Sequence, residues 1–385
     1  MPDRCDPERV DDADAMALLR AWETAGGPIL EESVIVPAVE LNSPEVRDDL
    51  GVRHFHRSID TTWRRTSYSG LIRGAETTGV SSEPEVVQLD DEVADIAVSA
   101  PPAGADVPSP MADLPTGAKF GSLVHAVLET ADPFADDLVS ELRTQIDRHA
   151  VWWPVDVDAS ELAAALVPMH DTPLGPLAGG LTLRQIGLRD RLCEMDFEFP
   201  LAGGDLAAVR PEIRLADVGR LLHEHLPADD PLAHYVERLS GGALGAQSLR
   251  GYLSGSVDAV LRVPDGAGHR YLVVDYKTNW LGEADRPLSA ADYDRGRMAE
   301  AMLHSDYPLQ AVLYSVVLHR FLRWRQPGYD PNRHLGGVLY LFVRGMCGPD
   351  TPTTGGHPAG VFSWRPPAAL VVAVSDLLDG RQVAA

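Results

Sequence analysis

Ser254-Gly-Ser-Val-Asp-Ala-Val-Leu-Arg-Val263 and Arg270-Tyr-Leu-Val-Val-Asp-Tyr-Lys-Thr278, separated by the turn-forming Pro264-Asp-Gly-Ala-Gly-His269, decide how the rest of the chain is read. The first run alternates, with Val257, Ala259, Leu261 and Val263 on one face and Asp258 on the other. The second is rich in β-branched and aromatic residues, so the pair predicts a β-hairpin. Asp275 and Lys277 are two apart, which sends both side chains off one face near the strand end. One end of the hairpin therefore offers two aspartates and a lysine.

Phosphodiester cleavage needs such a set. A divalent metal neutralises the non-bridging oxygens and acidifies a water. Hard carboxylate oxygens such as those of Asp258 and Asp275 suit Mg²⁺, and an ammonium at Lys277 can orient the attacking water and stabilise the developing charge. A lone Asp-x-Lys on a strand is more often a solvated charged pair. Two things raise its weight here: the partner Asp258, and the fact that of 33 basic residues only Lys119 and Lys277 are lysines. In a chain biased towards arginine, a retained ammonium does chemistry that a planar guanidinium does poorly.

Outward from the hairpin, Gly117-Ala-Lys-Phe-Gly-Ser-Leu-Val-His-Ala-Val-Leu-Glu129 predicts a helix with Leu123, Val124, Val127 and Leu128 as its apolar stripe. His125 sits beside the stripe. It is a candidate further ligand, one that would bring tolerance of Mn²⁺, although spacing alone fits a packed histidine equally well. Asp306-Tyr-Pro-Leu-Gln-Ala-Val-Leu-Tyr-Ser-Val-Val-Leu-His-Arg-Phe-Leu322 predicts a helix opened by Pro308, with Leu309, Val312, Leu313, Val316 and Val317 buried. Gln310 and Tyr314 share a face at i, i+4; they either contact the site or the DNA backbone, or only pack the helix. Gly337–Val343 reads as a buried strand and Gly360–Trp364 as an edge strand. The order helix, hairpin, helix, strand predicts an α/β fold: a small mixed sheet flanked by helices. Trp152, Trp153 and Trp280 are expected to be core aromatics.

Upstream, residues 12–25 predict a short helix stopped by Gly26-Gly27-Pro28. A second ordered stretch, Trp63–Ile72, gives way over 75–116 to Pro- and Ala-rich sequence expected to be a flexible linker. Within it, residues 82–96 hold six acids and no base. The expected division is thus 1–74, a region preceding the catalytic domain; 75–116, linker; 117–385, catalytic domain. Residues between the first helix of that domain and Leu253 are not divided by their pattern.

With 385 residues and 45% hydrophobic composition the chain can bury a full core. Cys5, Cys193 and Cys347 are dispersed, which argues against a disulfide framework, a zinc ribbon or an iron–sulfur cluster. No stretch approaches the roughly 18 apolar residues of a membrane span, and the acidic start is unlike a signal peptide, so a cytoplasmic protein with no membrane partner is expected. No Gly-Lys-Ser/Thr phosphate loop occurs, so no ATP site is expected in this chain. The net charge of −24 opposes phosphate binding, although a cation site is itself acidic and another subunit can supply the basic track.

His125 in GSLVHAVLE, Asp258 in GSVD, Asp275 and Lys277 in VDYKTNWLG, and Gln310 with Tyr314 in YPLQAVLY resemble the successive motifs of RecB-type PD-(D/E)xK nucleases. Val274–Gly282, Leu339–Gly345 and Thr66–Leu71 resemble in particular the nuclease region of exodeoxyribonuclease V β-subunits and the stretch just before it, so the likeness covers most of the chain. The resemblance implies a restriction-endonuclease-like core and a Mg²⁺-dependent exodeoxyribonuclease used in double-strand break repair by homologous recombination. It implies His125, Asp258, Asp275 and the backbone carbonyl of Tyr276 as metal ligands, Glu194 as an acid near the metal, and Lys277 as the catalytic lysine. Its implied partners are DNA and the other subunits of a RecBCD-like helicase–nuclease complex. The family's helicase motor is not in this sequence, so ATP-driven unwinding is not assigned to it. A non-catalytic assembly module is the alternative function, marked by a broken site; every expected position here is filled. A stand-alone restriction-like or repair endonuclease is disfavoured by the matches outside the site.

Overall fold

The computed structural model describes residues 11–27, 29–31, 63–76, 103–201, 212–283 and 285–381. The chain divides into two compact units, Met1–Ser58 and Ile59–Ala385. In the first, α1 (Asp12–Thr24) is capped by Asp11, whose side chain accepts from the Asp14 amide at 2.8 Å, and none of its residues is buried.

The second unit is built on a mixed sheet of six strands: β1 (Arg64–Thr66), β2 (Arg191–Leu201), β3 (Gly251–Asp265), β4 (Gly268–Lys277), β5 (Leu335–Phe342) and, after the small ribbon of β6 (Thr353–Thr354) and β7 (His357–Pro358), β8 (Val361–Trp364). Its order is β1-β3-β4-β5-β8, with β2 also on β3; β1/β3 and β4/β5 run parallel and the other pairs antiparallel. The expected hairpin is β3–β4, closed more tightly than the sequence suggested, with Asp265 already paired to Gly268. β5 is buried along its whole length, as its apolar run requires of a strand covered on both faces, and β8 is an edge.

Helices cover both faces. On one side α2 (Tyr68–Glu76), α6 (Leu215–His225), α7 (Tyr235–Ser240), α8 (Gly242–Gly245), α9 (Arg295–His304), α10 (Tyr307–Arg325) and α12 (Ala368–Leu378) share a core with Val257, Val260, Val273, Val338 and Tyr340. On the other, α3 (Ala118–Thr130), α4 (Leu138–His149) and α5 (Ala159–Asp171) pack with Ala259, Leu261, Leu272, Val274 and Leu341. The short α11 (Pro331–His334) leads into β5. This is the α/β, restriction-endonuclease-like arrangement expected: a mixed sheet flanked by helices. No helix among the described residues is long and apolar enough to cross a membrane.

Four details depart from the sequence reading. Val257 lies in one core while Ala259, Leu261 and Val263 lie in the other, so the pleat slips at Asp258 instead of alternating through it. α10 is buried almost all round, not along a stripe, because it lies between the sheet and the outer helix α12. Trp152 and Trp153 are not core: they are 78% and 40% exposed, on the turn between α4 and α5. Residues 103–116 are no flexible linker. Met111 and Leu114 are buried, and the wholly buried guanidinium of Arg344 donates to the carbonyls of Met111 at 2.7 Å, Leu114 at 3.3 Å and Pro115, as well as to Thr278 at 2.9 Å. Backbone carbonyls that satisfy a buried cation are held in place by it. The acidic run over 82–96 lies outside the described residues.

Candidate active site

The cleft follows from how three strands share one edge of β3. Residues 251–253 of β3 pair with β2 and with β1 at once, so β1 must take the edge opposite β2. Further along, β4 takes that same edge, but only from Ala259 (opposite Val274) onward. Between the two, among the described residues, Ser254 to Asp258 have no strand on that edge, and β4 beyond Val274 pairs only with β5, with Asp275, Tyr276 and Lys277 opposite Tyr340, Leu341 and Phe342. The sheet forks there. Gly251 permits the close approach of β1, since a Cβ at its φ of +104° would lie 2.1 Å from the Arg64 carbonyl oxygen. The segment expected merely to precede the catalytic domain, β1 with the start of α2, therefore forms one jaw of the cleft.

A pocket of about 350 Å³ opens in the fork, lined by side chains that include His125, Glu194, Asp258, Asp275, Lys277 and Gln310. His125 Nδ1, from α3, lies 3.2 Å from Asp258 Oδ2, and the Tyr276 amide donates to that same oxygen at 2.8 Å. A strand residue's N–H and C=O leave on one edge, so the Tyr276 carbonyl is also on the forked side. Lys277 Nζ is 2.5 Å from Asp275 Oδ2, an ion pair without hydrogen-bond alignment, and that buried oxygen has no hydrogen-bond partner among the described residues. The ammonium also donates to Gln310 Oε1 at 3.4 Å and sits 4.1 Å over the Tyr307 ring. Gln310 accepts from Tyr340 OH at 3.0 Å and donates to Tyr314 OH at 3.3 Å. The α10 pair thus reaches the site through Lys277.

Electrostatics follow from this packing. Burial pushes Asp275 up to about 6, against the pull of Lys277 and helped by the like charge of Asp258. Asp258 is half-buried, and the His125 ring, Lys277 and the Tyr276 amide together hold its carboxyl below the ordinary range against the effect of burial. Burial opposes charge on His125 and on Lys277 too, but Asp258 raises the first and Asp275 the second. Glu194, at φ 44°, stands in β2 at the rung where regular pairing with Asp258 lapses; it accepts from Ser256 Oγ at 2.7 Å, and burial raises its pKa.

All the expected site residues thus line one cleft, with Tyr276 contributing backbone. Two further contributors, Tyr307 and Tyr340, are visible only in three dimensions, because neither is near Lys277 in sequence. As the side chains stand, no three His, Cys, Asp or Glu among the described residues form a closed metal cluster. The donor chemistry nevertheless fits a hard divalent cation, with two aspartates, a carbonyl on the open edge and one imidazole. The buried Asp275 oxygen, which has Lys277 beside it but no aligned hydrogen bond, is where such a cation would bind.

No family model matches the chain. Over 99% of its length it is 69% identical to the RecBCD enzyme subunit RecB of Mycolicibacterium smegmatis, and over 98% it is 65% identical to that of Mycobacterium tuberculosis; it spans 35% and 34% of those proteins. The RecBCD enzyme subunit RecB of Escherichia coli is 30% identical over 86% of the chain, which covers 24% of that protein. The chain spans about a third or less of the length of these relatives, and the RecB-type likeness drawn from its motifs holds along nearly its whole length.

Proposed function

We propose that this RecB-like chain is a Mg²⁺-dependent DNA nuclease, an exodeoxyribonuclease that hydrolyses phosphodiester bonds during double-strand break repair by homologous recombination. Its partners would be DNA and the other subunits of a RecBCD-like helicase–nuclease complex. The observation that carries this reading is the buried Asp275 carboxylate, met on its Oδ2 by one lysine and by no aligned hydrogen bond, at an open fork in the sheet.

His125, Asp258, Asp275 and the Tyr276 carbonyl would hold the cation, with Glu194 further along the same wall. When bound, Mg²⁺ supplies neutralisation of the phosphate and acidification of a water. The Tyr276 amide and the His125 ring fix the Asp258 carboxylate in one orientation. Lys277 stays protonated through Asp275 and the Tyr307 ring face, so its ammonium can position the attacking water and stabilise the charge that develops on the phosphate. Gln310, held by Tyr340 and bonded to Tyr314, limits where that ammonium can swing.

The test is cleavage of a labelled single-stranded DNA with and without Mg²⁺ by the native chain and by Lys277→Ala. The expected result is metal-dependent cleavage that the substitution lowers by about 10²–10³-fold. Equal cleavage by both proteins would overturn the role of Lys277. No cleavage by the native chain, even with helicase partners added, would favour an assembly module.

A further inference from the structure

We propose that Trp153 is a base-stacking residue: its indole, at the mouth of the catalytic cleft, holds a nucleobase of the strand being cut and so sets which phosphate reaches Lys277. The inference rests on the nuclease reading. It starts from an imbalance of charge. The acids lining the cleft, Glu129, Glu194, Asp258 and Asp275, outnumber its one lysine, and the whole chain carries −24. Affinity from phosphate neutralisation is therefore poor close to the site. Stacking on an aromatic face is independent of charge and of base identity.

Trp153 is placed for it. The ring lines the same pocket as Ser122, His125 and Ala126 on α3, and it is 40% exposed. A large aromatic left in water at a concave site forgoes the burial that a core position would give it. Its neighbour Trp152 is more exposed, at 78%, but does not line the pocket. On the far side of the site, past Phe197 and Ser254–Ser256, the cleft continues into a shallow groove bordered by Arg65, Ser67 and Arg73 from the β1–α2 jaw and by Asp196 and Glu198 from β2. Gly255 carries no side chain on that path. A strand can thus run from a stacked base at Trp153, across the proposed metal site, into that groove, where Arg65 is paired with Glu198, so stacking has to supply affinity that phosphate neutralisation does not.

Two readouts on the full chain test this, using a labelled oligothymidylate as probe. In cleavage with Mg²⁺, Trp153→Ala should raise KM by about tenfold or more with kcat near that of the native chain. Trp153→Phe should restore most of the KM, and Trp152→Ala should leave it unchanged. In binding without metal, the probe should quench tryptophan emission, and the quench should shrink in Trp153→Phe although that variant still binds. An unchanged KM in Trp153→Ala, or an equal rise in Trp152→Ala, overturns the proposal, as does an undiminished quench in Trp153→Phe. If the native chain does not cleave even with helicase partners added, the nuclease reading fails, and the quench alone then decides whether a base sits on Trp153.

Discussion

Asp292 and Asp275 are both buried carboxylates, 0% and 2% exposed, and they are finished differently. Asp292 receives Arg286 on both oxygens, Arg297 at 3.2 Å, the Ser289 amide at 2.9 Å and the Ser289 hydroxyl at 3.1 Å. Asp275 has on its buried Oδ2 one lysine at 2.5 Å and no aligned hydrogen bond. A buried charge is tolerated when its surroundings saturate it. Where a single lysine is all that meets it, there is room for a further cation from outside the chain. The closed cluster ties the loop after β4 to α9, while the open one faces a cleft.

The contrast breaks most visibly at Asp292. Asp292→Ala would leave two guanidinium groups facing a buried void, and it should lower stability by about 3–5 kcal/mol in urea unfolding, with the KM of the surviving native fraction unchanged. A loss of only a few tenths of a kcal/mol would mean that the cluster is not structural.

His170 belongs to the closed kind. It is buried on α5, bonded to the Leu166 carbonyl at 2.9 Å, and burial pushes it down to about 4 from the ordinary 6.5. The unfolded chain therefore binds a proton between pH 6.5 and 4 that the folded chain refuses. Stability contributed by this neutral ring is full above pH 6.5 and should fall with acidification by up to about 1.4 kcal/mol per pH unit. His170→Gln should flatten that part of the pH–stability curve measured by denaturant titration. An identical curve for the variant would refute the assignment.

At the open cluster, His125→Ala should weaken divalent-cation affinity by at least about tenfold while changing the melting temperature of the metal-free chain little. The smallest effect is expected at Tyr314→Phe, which removes the hydroxyl that Gln310 donates to. Its loss should change kcat by a few-fold, within the roughly 0.5–1.5 kcal/mol of a single hydrogen bond, and leave metal binding alone. A loss as large as that of Lys277→Ala would make Tyr314 a direct participant.

The open cluster was the more legible of the two from sequence. Period-two spacing puts Asp275 and Lys277 on one face, and the hairpin brings Asp258 alongside. The closed cluster uses Asp, Arg and Ser in a loop that carries no periodic signal. β2 was missed although Met195, Phe197, Phe199 and Leu201 alternate with polar residues and Pro200. That alternation is a strand signal, and Gly203-Gly204-Asp205 after it is turn punctuation, but the segment lies inside the stretch up to Leu253 that its pattern does not divide. The positive φ of Glu194 could not have been read at all, because glutamate has no preference for it. The β1–α2 jaw escaped for a different reason: three strand residues are too few for periodicity, and their partner Gly251 lies far along the chain. Trp152 and Trp153 were misplaced because aromatic composition predicts burial, while their position on a turn decides against it.

The central claim is that the buried Asp275 carboxylate at the fork marks a cation site, and isothermal titration of Mn²⁺ and Mg²⁺ into the native chain and into Asp275→Ala tests it most directly. Saturable binding by the native chain that is lost in the variant, while both proteins give the same far-ultraviolet circular dichroism, is the predicted result. Equal binding by both, or none by the native chain, would contradict it.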